Sequence, residues 1–483
     1  MRWPFIIRII GVLLFVLGLC MTLPLGCSLF FKDGAHQGHL TAMAVTTIMG
    51  AIMVVISKKA GNHDYINQRE GIAVVALGWI GIGLFGALPF FLAPDFSTYT
   101  DAFFESVSGF TTTGSSVMTN IEGAAPSLLL WRSLIQWLGG MGIIVLSLAI
   151  LPFLGVGGIQ LYKAEVPSPV PDKLTPRLSD SAKILWIVYA GMTLLLILFL
   201  YFGGMNLFES VCHALTTLPT GGFSPKNLSI AHYDSAYFDY TITIFMLLAG
   251  INFSLHYQIL RGNRLAFWKD AECRFFLCAV LVGTLIITLN TWGPVYDNFS
   301  KAFRFAIFQV VSIVTTTGYA TADYELFPGL SQVLLFFGMF IGASAGSTGG
   351  GMKCARIMVC IKYCYRELFK LIHPRSVSHI KLNNALIPEE LLRSILGFIA
   401  LYILIFVMAT TLLSALGVDL LTSLGAVASC IGNIGPGFGT VGPVENFAHL
   451  PQAGKWLLSW CMLAGRLEIY TVIILLVPEF WKQ

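Results

Sequence analysis

The chain has 483 residues, of which 56% are hydrophobic and 11% charged, with a mean hydropathy of +0.77 and a formal net charge of +4. So apolar a chain cannot be packed as a soluble core throughout, and the composition places it among membrane proteins. The small net charge matters less than its distribution along the chain.

A helix needs about 20 apolar residues to cross a bilayer. Ten such spans are predicted, at 5–31, 38–57, 71–92, 131–152, 183–204, 238–260, 275–292, 331–361, 394–417 and 454–478. The first is read as a span and not as a cleaved signal peptide. Its apolar run is longer than a signal core, and no clear small-residue cleavage site follows. Residues 1–68 form a two-span preface. Four units follow, at 69–178, 179–270, 271–388 and 389–483. Each unit reads as a span, a short apolar segment, a turn and a second span.

The turns are Thr111-Thr112-Thr113-Gly114, Thr220-Gly221-Gly222-Phe223, Thr315-Thr316-Thr317-Gly318-Tyr319 and Asn433-Ile434-Gly435-Pro436. A short helix of about ten residues crosses only half a bilayer, so the chain must turn back out. Irregular backbone at that depth is tolerated only where protein or water surrounds it. Four such turns in one chain can surround each other. Glycine permits backbone angles that point successive carbonyls inward, and such carbonyls can replace the hydration shell of a cation. The short helices would aim their partly negative C-terminal ends at the same point. The fold class is therefore an all-α polytopic membrane protein. A two-helix preface precedes four helix–pore-loop–helix repeats, set pseudo-fourfold around one pore.

With the N-terminus inside, most of the 29 Lys and Arg fall on the cytoplasmic side, among them Lys58, Lys59, Lys163, Arg177, Arg261, Arg264, Lys362, Arg366, Lys370 and Arg375. This positive-inside bias puts the four turns on the outer side. It also explains the basic loops without a nucleic-acid partner. Asp95, Asp101, Glu122, Glu209, Asp323, Asp419 and Glu445 fall in the outer segments, where a negative mouth concentrates cations. Asp101 and Asp419 also suit the caps of short pore helices. Cys20, Cys212, Cys278, Cys430 and Cys461 lie in apolar runs as small hydrophobes. Cys360-x3-Cys364 and His36-x2-His39, the latter placed in a short outer loop, lack the second ligand pair a metal site needs.

Two features lie below the turns. Gly342-Ala343-Ser344-Ala345-Gly346-Ser347-Thr348-Gly349-Gly350-Gly351 interrupts the span 331–361. Each Gly costs a helix about 1 kcal/mol against Ala, so the span should break around a loop at 342–353. It is not a phosphate-binding loop: it continues as Met352-Lys353-Cys354, with no strand before it. The second feature is Arg466, alone in the span 454–478. A charge at the bilayer centre costs at least about 2.5–3.5 kcal/mol, so it should face protein or water. Either it is a fixed positive charge beside the pore, or it is half of a structural ion pair. Lys353 and Arg356 are the other cations placed within spans.

These motifs resemble the TrkH/KtrB superfamily of potassium transporters, and its TrkH branch most closely. The residues that carry the likeness are Phe103-Phe104-Glu105-Ser106 with Thr111–Gly114, Gln136–Ile144, Gly221-Gly222-Phe223-Ser224, Ala345–Gly351 and Gly465-Arg466-Leu467-Glu468. The resemblance covers essentially the whole chain. It implies a homodimer with one pore per protomer and a cytoplasmic nucleotide-binding regulatory subunit similar to TrkA. It also implies a potassium-binding selectivity filter of Thr112, Thr113, Gly114, Thr220, Gly221, Gly222, Thr316, Thr317, Gly318, Asn433, Ile434 and Gly435. By the same likeness the gate comprises Gly346, Gly349, Gly350, Gly351, Lys353 and Arg466. Serine replaces the first filter glycine in the sodium-selective plant relatives, so Gly114 favours potassium.

The expectation is gated, channel-like potassium uptake across a bacterial inner membrane. No cofactor is implied beyond the transported ion, and the basic segment 362–393 is a plausible landing surface for the regulator. A symporter coupled to H⁺ or Na⁺ is the alternative, with Glu468 as its main candidate carboxylate. An intramembrane enzyme built from His213, His256 and Ser254 is remote, because no nucleophile–base pair is placed.

Overall fold

The structure is a computed structural model that describes residues 1–57, 67–149, 178–376, 378–383 and 385–482. Lys58, Lys59, Lys163 and Arg177, on which part of the orientation argument rests, lie outside the described residues.

The preface is α1 (Trp3–Cys20), α2 (Thr22–Phe31) and α3 (His36–Ile56), with α1 packed on α3. The first unit holds α4 (Gln68–Gly86), the short α5 (Leu88–Phe91), α6 (Tyr99–Phe110) and α7 (Pro126–Ala149). The second holds α8 (Leu178–Phe202), α9 (Leu207–Thr217), α10 (Ala236–Gly250) and α11 (Phe253–Leu260), followed by a single turn, α12 (Ala266–Lys269). The third holds α13 (Ala271–Thr291), α14 (Phe299–Val314), α15 (Gly329–Ile341) and α16 (Cys354–Ile372). A two-residue hairpin pairs β1 (Lys381–Leu382) with β2 (Ala385–Leu386). The fourth unit holds α17 (Glu389–Ala415), α18 (Leu420–Gly432), α19 (Gln452–Arg466), α20 (Ile469–Ile473) and α21 (Pro478–Trp481).

The short helices α6, α9, α14 and α18 start in the same way. A side-chain oxygen at the first position takes up an otherwise orphaned backbone N–H. Thr98 accepts from Asp101 N–H, Asn206 from Glu209 N–H, Asn298 from Ser300 N–H and Asp419 from Thr422 N–H. Asp419 is thus a cap, as its position in the sequence suggested. Asp101 is not. It stands three residues inside α6, where it accepts from Thr98 Oγ1 at 2.8 Å and pairs with Lys455.

Six helices among the described residues are long and apolar enough to cross a membrane. Three of the other predicted spans are interrupted. The run 238–260 bends by 99° between α10 and α11, where Asn252 turns to cap α11 through Ser254 N–H. The run 331–361 opens between Ile341 and Cys354. The run 454–478 breaks after Arg466, with Glu468 in the left-handed region at φ +61°. His36 and His39 sit in the first turn of α3 and not in a loop, and buried His39 meets Ser127 Oγ at 3.0 Å.

Large apolar side chains such as Phe30, Phe202 and Leu289 are exposed on the outer faces of α2, α8 and α13. Those faces are the lipid-facing surface of a multi-pass membrane protein. The interior divides into two large apolar clusters. One gathers Tyr189, Phe253, Phe276, Phe308, Tyr319 and Tyr324 from the second and third units. The other gathers Phe90, Phe104 and Trp131 with Tyr402 and Leu458 of the fourth unit. The four turns lie where α6, α9, α14 and α18 end.

Candidate functional site

All four short helices end in the same hydrogen-bonded turn. Thr112, Thr220, Thr316 and Asn433 stand in the left-handed region, at φ 53°, 58°, 60° and 55°. The next residue then reaches back along its helix. Thr113 N–H bonds Ser108 O, Gly221 N–H bonds Thr216 O, Thr317 N–H bonds Ser312 O and Ile434 N–H bonds Ser429 O, all at 2.8–2.9 Å. This is the Schellman arrangement, which satisfies the last carbonyls of a helix. Gly114, Gly222, Gly318 and Gly435 follow, again at positive φ of 89°, 73°, 79° and 111°.

The four turns close into a ring. A Cβ added at Gly114 would lie 2.2 Å from Gly221 O, and one at Gly222 would lie 1.9 Å from Thr317 O. One at Gly318 would lie 1.8 Å from Ile434 O, and one at Gly435 would lie 2.9 Å from Thr113 O. Each glycine therefore faces the carbonyl just before the glycine of the next unit, and the fourth unit returns to the first. The fourfold order is imperfect. Asn433 Nδ2 donates to Thr113 Oγ1 at 3.0 Å and to Met462 O at 2.9 Å, contacts a threonine could not make. Gly221 O accepts from Gln136 Nε2 at 2.6 Å, while Phe223 N–H donates to Gln136 Oε1 at 3.2 Å. A carbonyl has two acceptor sites, so Gly221 O keeps one free.

The segment between α15 and α16 packs directly beneath this ring. Gly350 N–H donates to Thr316 Oγ1 at 2.7 Å, and Thr348 Oγ1 donates to Leu218 O at 2.9 Å. Gly346 O accepts from Phe253 N–H at the bend between α10 and α11. A Cβ at Gly349 would come within 3.0 Å of Thr315 O. Lys353, at φ 74°, donates through Nζ to Gly349 O. Gly351 also lies at positive φ, against Gly342. Arg466 reaches the segment from α19, and its Nη1 donates to Thr348 O at 2.7 Å. Its Nε and Nη2 have no hydrogen-bond partner among the described residues, and no carboxylate there pairs with it. Glu468 pairs instead with Arg356, at 2.7 Å.

Comparison with known proteins decides the family. Residues 36–483 match the family model TrkH, described as a cation transport protein. The chain belongs to the TrkH family. It is 40% identical to the Trk system potassium uptake protein TrkH of Salmonella typhimurium, over the full length of both chains. It is 33% identical to TrkG of Escherichia coli K12, covering 98% of this chain and 97% of that one. Its fold superposes on the crystal structure of the potassium transporter TrkH from Vibrio parahaemolyticus with a TM-score of 0.91, at 36% identity and full coverage of both.

These relatives are named for ion uptake, and this TrkH-family chain is a transporter and not an enzyme. The residues an intramembrane enzyme would need have other partners. Ser254 Oγ bonds Asn252 at the start of α11, His256 Nε2 meets Leu248 O, and His213 meets Ser224 Oγ at 3.2 Å. All ten cysteines are free, and no metal-ligand cluster occurs among the described residues.

Sequence reasoning missed three buried charges beside the ring and the segment beneath it. Arg132 and Glu105 pair at 2.6 Å, at 3% and 0% side-chain exposure. Glu272 Oε1 accepts from Ala345 N–H at 2.8 Å and from Ala355 N–H at 2.9 Å, so it holds both ends of the segment 345–355. The residues themselves were visible, since Arg132 is a further cation within an apolar span, 131–152, and Glu105 lies inside the Phe-Phe-Glu-Ser motif, but their pairing was not.

Proposed function

We propose that the chain takes up potassium across a bacterial inner membrane by gated, channel-like permeation, through a selectivity filter made by the four turns. The observation that carries this reading is the closed ring of glycines and carbonyls, with eight positive-φ residues in matching places. Alternating backbone handedness points successive carbonyls to one side, where they can replace an ion's hydration shell. The four short helices add their partly negative C-terminal ends. The filter comprises Thr112–Gly114, Thr220–Gly222, Thr316–Gly318 and Asn433–Gly435. The gate comprises Gly346, Gly349, Gly350 and Gly351 with Lys353 and Arg466.

The N-terminus is cytoplasmic and the turns lie toward the outside, as the distribution of basic residues requires. The working unit is a homodimer, controlled by a cytoplasmic nucleotide-binding subunit that lands near 362–393. Permeation is favoured over symport by the pairing of Glu468, the main candidate carboxylate for coupling, with Arg356 at 2.7 Å, and of buried Glu105 with Arg132 at 2.6 Å.

The test is electrical recording on the purified protein in planar bilayers, with mixed potassium and sodium. Current should reverse near the potassium equilibrium potential. Gly114→Ser should move that reversal toward sodium, because a side chain there collides with Gly221 O. A reversal that tracks the proton gradient would establish symport instead. Intact current with no shift in Gly114→Ser would place the filter elsewhere.

A further inference from the structure

One position recurs behind the four turns. Glu105, His213, Gln309 and Ala426 each stand seven residues before the left-handed residue of their turn. Three of the four grip the strand that leaves their own turn. Glu105 Oε1 accepts from Ser116 Oγ at 3.0 Å and Oε2 accepts from Val117 N–H at 2.9 Å. His213 Nε2 meets Ser224 Oγ, and Gln309 Nε2 donates to Ala322 O at 3.1 Å. In the fourth unit the neighbouring Gly425 instead lets the Phe438 backbone approach closely.

Only Glu105, of the four, carries a fixed charge, and it extends its grip to the next unit. Arg132 on α7 pairs with Glu105 through Nε and donates through Nη1 to Ser224 O at 2.9 Å. The guanidinium also lies 3.6 Å from the centre of the Phe223 ring. Phe223 and Ser224 directly follow Gly222, as Ser116 and Val117 closely follow Gly114. One buried pair thus ties the departing strands of two adjacent turns to each other. Replacing a buried ion pair with well-packed apolar groups is often neutral or stabilising. Fold stability alone is therefore a weak reason for these two charges.

We propose that Glu105 and Arg132 are positioning residues for ion selectivity, fixing the spacing of the first and second turns at the width potassium requires. This rests on the reading of the turns as the filter. The arginine fork is suited to the task, because its planar donors serve the carboxylate and Ser224 O together, which a lysine cannot do. Without the pair the two strands are free to close on a smaller ion.

The experiment compares rubidium with sodium uptake into proteoliposomes, alongside the melting temperature of each purified variant. Glu105→Gln/Arg132→Met removes both charges and leaves neither buried alone. It should lower the rubidium-to-sodium ratio about tenfold, the low end of the loss seen when groups that orient an ion's ligands are removed, with a near-normal melting temperature. Arg304→Met/Asp239→Asn removes another pair, at 2.7 Å and partly buried, that touches no residue next to a filter glycine, and should keep the normal ratio. Arg132→Lys keeps the charge but loses the fork and should give an intermediate ratio.

A normal ratio in folded Glu105→Gln/Arg132→Met overturns the proposal, as does an equal fall in the Arg304/Asp239 variant. Should the double variant not fold, Glu105→Asp decides in its place: a lowered ratio at normal stability supports the brace, and a normal ratio overturns it. Gly114→Ser separates the two readings. If it lowers the ratio and the brace variants do not, only the brace falls. If Gly114→Ser also leaves the ratio unchanged, the filter reading itself has failed.

Discussion

Left-handed backbone costs a residue with a Cβ about 1–2 kcal/mol, and β-branched residues are the least at ease there. Threonine nevertheless occupies that region at 112, 220 and 316, and only the fourth turn uses the more tolerant Asn433. A glycine would end each helix at lower energy. What threonine adds is a hydroxyl beside the ring, and Thr112 Oγ1 has no partner among the described residues. Thr112→Gly should therefore leave stability unchanged or raise it, since relief of about 1–2 kcal/mol outweighs glycine's extra entropy of about 0.5–1 kcal/mol. Potassium preference should fall in the same variant. A lower melting temperature would show that the threonine side chain stabilises the turn and is not strained. Arg466 poses the converse case, a buried charge that no carboxylate among the described residues pairs with. Two unit charges about 6 Å apart at an effective dielectric near 20 repel by roughly 3 kcal/mol, enough to slow a permeating cation about a hundredfold. Arg466→Gln keeps a donor for Thr348 O and removes the charge. Rubidium flux should rise at near-normal stability, and a fall in stability with no gain in flux would rule out the barrier.

At the scale of elements, the segment 342–353 is held against the ring by contacts too close for any side chain. A Cβ on Gly350 would meet Gly432 O at 2.4 Å and Asn433 Cβ at 2.9 Å. Gly350→Ala should push the segment away from Thr316 and raise flux in the absence of any partner protein. Deleting Gly349–Gly351 should do the same more strongly. Unchanged rubidium uptake by folded Gly350→Ala would make the segment a passive kink. The sequence made this break legible because its glycines cluster within one apolar run. It made the paired spans legible for the same kind of local reason. The bend at Ile251–Asn252 was not legible, because a single Asn in an apolar run marks a cap only once the partner N–H groups are known. The break after Arg466 depends likewise on Glu468 reaching Arg356 on another helix. The Glu105–Arg132 pair joins residues 27 apart in the chain, and hydropathy carries no signal for such a contact.

At the scale of the whole molecule, the acidic mouth read from the sequence is smaller than its residue count implies. Asp101 is paired with Lys455, Glu209 with Lys226 at 3.1 Å, and Asp419 is used in capping α18. Of those that remain, Asp95 and Glu122 belong to the first unit, while Asp323 and Glu445 lie with Glu325 between the third and fourth units. Glu325 Oε1 accepts from Gly439 N–H at 2.6 Å, and Glu325 and Glu445 approach each other across Gly442. Partial burial pushes the Glu325 carboxyl up, and the charges of Glu445 and Asp323 add to this. Burial, then Asp323, likewise raises Glu445. Raised values mean that the folded protein binds these protons more tightly than the unfolded chain. The stability the two groups supply is thus complete below their ordinary value of 4.5 and is lost as pH rises through the raised values. Glu325→Gln/Glu445→Gln should therefore melt higher than the unmodified protein at pH 7.5, with the two converging below that ordinary value. The flux effect has the opposite sign. Ionised carboxylates on the proposed outer face draw cations in, so the double variant should take up less rubidium at pH 7.5 and low salt. The difference should close on acidification, starting at a higher pH than for ordinary glutamates. It should also close in concentrated salt, since the screening length is about 10 Å at 0.1 M. A flux deficit that persists in high salt would mean that the substitutions disturb the turn at Gly439, and the electrostatic account of the mouth would fail.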